Sequence, residues 1–150
     1  MNNYRSRPKG NYIQEATWQE LYMLTENWKN DLEFYLLDIE FLERLVDTYF
    51  VKLLANQNFD ELRELQGELL ERKKQCKKLL NCIQIHFSHI VDLIDNPIVY
   101  DALVFRAEQE LMEEEISEFK IMLKAVRYTV FNMTKDVLES EKPKYIWKYN

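Results

Sequence analysis

Three long stretches of this chain carry apolar residues at alternating steps of three and four without losing phase. The first runs Trp18, Leu21, Thr25, Trp28, Leu32, Tyr35, Ile39, Leu42, Val46, Tyr49, Leu53. The second runs Leu62, Leu65, Leu69, Arg72, Cys76, Leu79, Ile83, His86, Ile90, Leu93. The third runs Ala102, Phe105, Gln109, Met112, Ile116, Phe119, Leu123, Val126, Val130, Met133, Val137. A mean step of 3.5 residues is the seam of helices wound around one another, and no strand tolerates it, because a strand repeats every two residues. Turn-rich folds are excluded from a second direction. The chain has only two glycines and three prolines (Gly10, Gly67, Pro8, Pro97, Pro143), and β or α/β architectures need many more turns than these can serve.

The punctuation between the stretches agrees with this reading. Thr17 with Glu20, and Asn58 with Glu61, have the spacing of an N-cap and its reciprocal acidic partner. Asn96 before Pro97 puts a capping side chain ahead of a proline suited to the first helical position. The second helix should therefore stop near Asp95, and Pro143 should end the third. Short connections make neighbouring helices antiparallel. The expected fold is all-α: an elongated up-down-up three-helix bundle, coiled-coil-like, about 55–65 Å long at 1.5 Å per residue. The alternative is four helices, if the first breaks near Asn30, where Asn30 and Glu33 form another capping pair. Neither glycine nor proline stands there, and the heptad phase continues, so one helix is favoured.

Charge divides the chain into three expected segments. Residues 1–13 form a basic flexible tail, 14–141 the bundle domain, and 142–150 a basic aromatic tail. The first ten and last nine residues carry +3 each, which on a chain of −6 leaves −12 between them. An acidic body with short basic ends lacks the continuous basic surface that phosphate contacts require, so nucleic acid is not an expected partner. No apolar run reaches the length of a membrane span, and the basic N-terminus has no apolar segment behind it, so no secretory signal is expected. Cys76 and Cys82, six residues apart on one helix, lie about 9 Å apart and cannot pair with each other. A reduced, cytoplasmic setting is expected.

One basic run, "RKKQCKK" at residues 72–78, invites comparison with a nucleic-acid patch. Folding about the two connections sets it level with Asp38, Glu40 and Glu43 on the first helix, and with Glu113, Glu114, Glu115 and Glu118 on the third. Opposite charges at one height select register in bundles. Arg72 falls in the seam itself, where it must snorkel or reach a carboxylate such as Glu43 or Glu115.

The nearest approach to site chemistry is "CIQIHFSHIVD", residues 82–92. His86 is a seam residue, and the same register places Thr25 and Gln109 beside it, one polar residue from each helix. The favoured reading is a polar layer of Thr25, His86 and Gln109 that sets helix order, with no cofactor and no metal. On that reading, leucine in place of His86 should cost little. The alternative is a small metal- or ligand-binding bundle centred on His86 and His89, with Glu108 or Asp31 completing the shell. The Glu-x-x-His pairs of ferritin-type bundles and the HExxH zinc motif are both missing. No glycine-rich phosphate loop or nucleophile elbow is present either, so no enzyme is expected.

Apolar residues remain after the seams are filled. Met23, Phe34, Leu37, Phe41 and Val51 point away from the first seam, and Leu111, Ile121 and Phe131 do so on the third helix. Such a face usually meets a partner. The candidates are a second copy, another protein, or the chain's own tail through Tyr145, Ile146, Trp147 and Tyr149. The expected function is that of a non-enzymatic cytoplasmic interaction or scaffold protein, homodimeric through this face.

Overall fold

The computed structural model describes residues 12–96 and 102–149, with side chains except at residue 14 and from residue 140 onward. The protein is an all-α helical bundle, with no strand among the described residues. Its helices are α1 (Tyr12–Glu15), α2 (Trp18–Thr48), α3 (Phe50–Leu53), α4 (Phe59–Asp95) and α5 (Ala102–Tyr149). Among the described residues, no helix is long and apolar enough to cross a membrane.

The helix starts follow from their caps. Thr17 Oγ1 accepts from the Glu20 backbone N–H at 3.1 Å, and Glu20 Oε1 accepts from the Thr17 N–H at 3.2 Å. Ala16 before this box and Leu21 after it are both buried in one cluster, the apolar staple that fixes a helix's entry angle. Asn58 Oδ1 caps α4 by accepting from the Glu61 N–H at 2.7 Å. Helix α4 ends at Asp95, where the coming Asn96–Pro97 pair places its end; Pro97 itself lies outside the described residues.

Helix α2 passes through Asn30 without interruption, so the four-helix alternative does not arise there. A break comes later, at Tyr49, with φ −103° and ψ 12° in the sparsely occupied bridge between helix and strand. The Tyr49 N–H still reaches the Leu45 carbonyl at 3.2 Å, and α3 resumes at once. Side-chain phase survives this single-residue departure, since Leu53 remains fully buried. Two boundaries also differ from those expected. Ile13, expected in the N-terminal tail, is fully buried, and α5 runs through Pro143 to Tyr149. A proline deletes one backbone donor and crowds one carbonyl, a local cost that a helix of 48 residues absorbs without terminating.

The chain forms two compact units, Met1–Leu36 with Gln75–Phe119 and Leu37–Lys74 with Lys120–Asn150. In the first, Ile13, Ala16, Leu21, Ile90, Leu93 and Phe105 make a buried cluster, with Trp18 and Phe87 against it. Trp18 meets Phe105 edge-on at 5.6 Å, and Tyr22 meets Phe87 at 5.1 Å, spacings at which aromatic quadrupoles attract. In the second, Leu42, Val46, Leu65, Leu69, Val126 and Val130 form one cluster, and Leu53, Leu62 and Val137 another.

Charges in the second unit only partly follow the expected level match. Lys73 Nζ pairs with Glu43 Oε1 at 2.9 Å, as the register required. Asp38, expected against the same basic run, is held by Arg127 from α5 through two guanidinium nitrogens. Arg72 is buried, and its expected partners Glu43 and Glu115 are replaced by Glu68, one turn back at 3.9 Å, and by Met122 Sδ at 2.9 Å from Nη1. Equal height does not mean equal face: Glu43 is engaged by Lys73, and the Arg72 guanidinium meets Met122 of α5 and, one turn back on its own helix, Glu68.

Candidate functional site

Helix α4 buries His86 to 2% exposure and leaves His89, one turn on, partly open. Thr25 from α2 and Gln109 from α5 are fully buried beside His86. The three polar seam residues inferred from the heptads therefore meet in space. Gln109 Nε2 donates to Thr25 Oγ1 at 3.0 Å, and the Thr25 hydroxyl in turn donates to the Leu21 carbonyl at 2.8 Å. With its amide nitrogen so committed, Gln109 turns Oε1 toward His86 Nε2, which is hydrogen-bonded to it. The network assigns the His86 proton to Nε2, because an amide oxygen can only accept. Phe105 stacks flat on the imidazole, centroids 4.4 Å apart and planes 5° from parallel.

Burial pushes the His86 imidazole below its ordinary 6.5 and outweighs the Gln109 bond and the Glu108 charge, both of which pull it up, while His89 pushes it down further. A neutral ring with its proton on Nε2 keeps a lone pair on Nδ1. That nitrogen lies 3.9 Å from Glu108 Oε2, and His89 Nδ1 lies 3.7 Å from the same oxygen. His86, His89 and Glu108 thus bring ligand atoms within 4.8 Å of one another. Asp31, the other carboxylate considered, is buried on α2 but is not among these three. The cluster opens onto a groove of about 280 Å³, walled also by Cys82, Ile85, Leu111 and Glu115.

No protein-family model, curated protein or solved structure matches the chain. Chemically, the cluster can bind a cation or share a proton.

The apolar face of α2 is open as expected: Phe34 is 63% exposed, Leu37 65% and Phe41 48%, with Met23 and, on α3, Val51 also exposed. Leu111, Ile121 and Phe131 are exposed on α5. The side chains of Tyr145, Ile146, Trp147 and Tyr149 lie outside the described residues, as does the segment before Tyr12.

Two features escaped the sequence reading. Arg106 on α5 donates from Nη1 to the carbonyls of Ile13 and, at 3.0 Å, Ala16, and lies 4.2 Å from the Trp18 ring centroid. The only hint of this was an arginine next to a seam phenylalanine. The histidine groove is the second: Leu111, which walls it, was read only as a surplus apolar residue, and Ile85 beside it was not singled out.

Proposed function

We propose that this chain is a non-enzymatic cytoplasmic interaction protein that works as a homodimer, joined through the α2 face of Phe34, Leu37 and Phe41. The observation that carries the reading is the exposure of these three large apolar side chains on successive turns of one continuous helix. Water contact with such a patch is costly, at roughly 25 cal/mol per Å² of apolar surface, and an interface removes that cost. A second copy fits the spacing. Phe34 stands three residues before Leu37 and Phe41 four after it, so an antiparallel twin sets Leu37 against Leu37 and each Phe34 against a Phe41. Such self-complementarity is what a two-fold interface requires. Free thiols at Cys76 and Cys82 support the reducing compartment.

The geometry can be tested by cross-linking. With Cys82 changed to serine and Cys76 buried, Leu37→Cys leaves one accessible thiol on the proposed axis. Mild oxidation or a short bis-maleimide should join two chains quickly, whereas Glu61→Cys in the same background should not. Equal, slow cross-linking of both would overturn the interface.

A further inference from the structure

We infer that His86, His89 and Glu108 form a binding site for a first-row divalent transition metal, with zinc as the representative ion. The polar layer and the metal site, rivals when only the sequence is considered, use different nitrogens of one ring. His86 Nε2 belongs to the layer, through Gln109 and Thr25, and Nδ1 belongs to the cluster. Metal-binding histidines are typically built this way: the nitrogen that does not bind is hydrogen-bonded to an acceptor, which fixes tautomer and ring direction. Here the acceptor is fully buried, and its own amide is tied down by Thr25.

The distances suit a small cation. Zinc bonds of about 2.0–2.2 Å at tetrahedral angles place ligand atoms roughly 3.3–3.5 Å apart. His86 Nδ1 and His89 Nδ1 stand 3.9 and 3.7 Å from Glu108 Oε2, so a contraction of about half an ångström closes these two gaps, and the ligand atoms of the two histidines lie within 4.8 Å of each other. The buried ring need not move. His89 and Glu108 are 31% and 40% exposed as side chains and have room to adjust. Two imidazoles and one carboxylate select zinc and its neighbours over magnesium or calcium, which prefer oxygen ligands. The remaining coordination position faces the groove, where water can complete the shell. The site does not depend on dimerisation, since all three donors belong to one chain.

The test is cobalt(II) titration of chelator-treated protein, read by visible absorption, followed by zinc competition. Wild type should show one strongly absorbing ion per chain, displaced by zinc and not by magnesium. His89→Ala and Glu108→Gln change partly exposed side chains and should keep wild-type helix content while losing affinity by about ten-fold or more. Gln109→Leu touches no metal, yet should weaken binding about 10–100-fold by releasing the His86 ring. Absence of a cobalt band in wild type would overturn the site. So would affinities in both His89→Ala and Glu108→Gln within about two-fold of wild type, which would place any bound ion elsewhere.

Discussion

Gln109 donates to Thr25 at 3.0 Å, and the direction of that one bond decides what His86 can do. An amide has a donating end and an accepting end. Once the donating end is spent on Thr25, only the oxygen faces the imidazole, and the imidazole must donate its N–H to it. A helix-packing residue thereby controls which nitrogen of a histidine carries the proton, and leaves Nδ1 with its lone pair.

That coupling changes what substitution at His86 should cost. Leucine suits a seam by shape, but alone it leaves the fully buried Gln109 oxygen without its His86 donor. An orphaned buried acceptor costs about 1–3 kcal/mol. Urea denaturation should show His86→Leu destabilised by that amount. The triple variant Thr25→Val, His86→Leu, Gln109→Leu should recover most of the loss, because both ends of the His86–Gln109 and Gln109–Thr25 bonds are then removed. A His86→Leu protein as stable as wild type would show the layer to be unimportant.

The two thiols should differ sharply. Cys76 is fully buried, its S–H directed at the Leu32 carbonyl at 3.2 Å, and burial pushes its pKa up to about 11. Cys82 is part-exposed. At pH 8 a thiol reagent should label one cysteine per native chain, identified as Cys82 by mass spectrometry. The raised thiol also sets a pH trend. Above the unfolded value near 9 the unfolded chain holds fewer protons than the native one, so the Cys76 contribution declines as pH rises toward about 11. Cys76→Ala should remove that part of the alkaline destabilisation. Equal labelling of both thiols would contradict their placement.

Arg106 ties α1 to the rest of its unit. Arg106→Met keeps the apolar stem but removes the donors to Ile13 and Ala16 and the cation over Trp18. Charge-assisted bonds of this kind are worth about 1.5–3 kcal/mol. Hydrogen exchange should show lost protection concentrated in α1 and the first turns of α2. Arg106→Lys should rescue little, since an ammonium lacks the planar group that stacks on an indole. Unchanged exchange in α1 would show the contact to be incidental.

Gly67 stands exposed in the interior of α4, and a methyl group there would meet nothing within 4 Å. Gly67→Ala should therefore stabilise the protein by about 0.5–1 kcal/mol, through lower backbone entropy in the unfolded chain. A destabilised variant would mean that this surface is occupied by a partner.

The parts of the structure legible in the sequence were those with a repeat behind them. All ten seam positions from Leu62 to Leu93 are buried, Arg72 and His86 included, because a 3.5-residue period states which side of a helix faces inward. The caps at Thr17 and Asn58 were legible because hydrogen-bond chemistry restricts them to a few residue types. The break at Tyr49 was not, since one residue outside helical geometry leaves the side-chain phase intact. Helix α1 is too short to show a period, although Ala16 and Leu21 already carried the staple that anchors the chain beside it. At the site, the residues Thr25, His86 and Gln109 were readable but the bond directions were not. Height along the bundle can be counted from a sequence, whereas the choice of Glu108 over Asp31 depends on which face each helix turns inward.

Sedimentation velocity of wild type and of Phe34→Ser/Leu37→Ser/Phe41→Ser, across about 1–100 µM to span ordinary dimer constants, tests the central claim most directly. Wild type should sediment at twice the mass of the chain, and the variant as a monomer with unchanged helix content. A wild-type protein that stays monomeric throughout, or a variant that still forms the dimer, would contradict it.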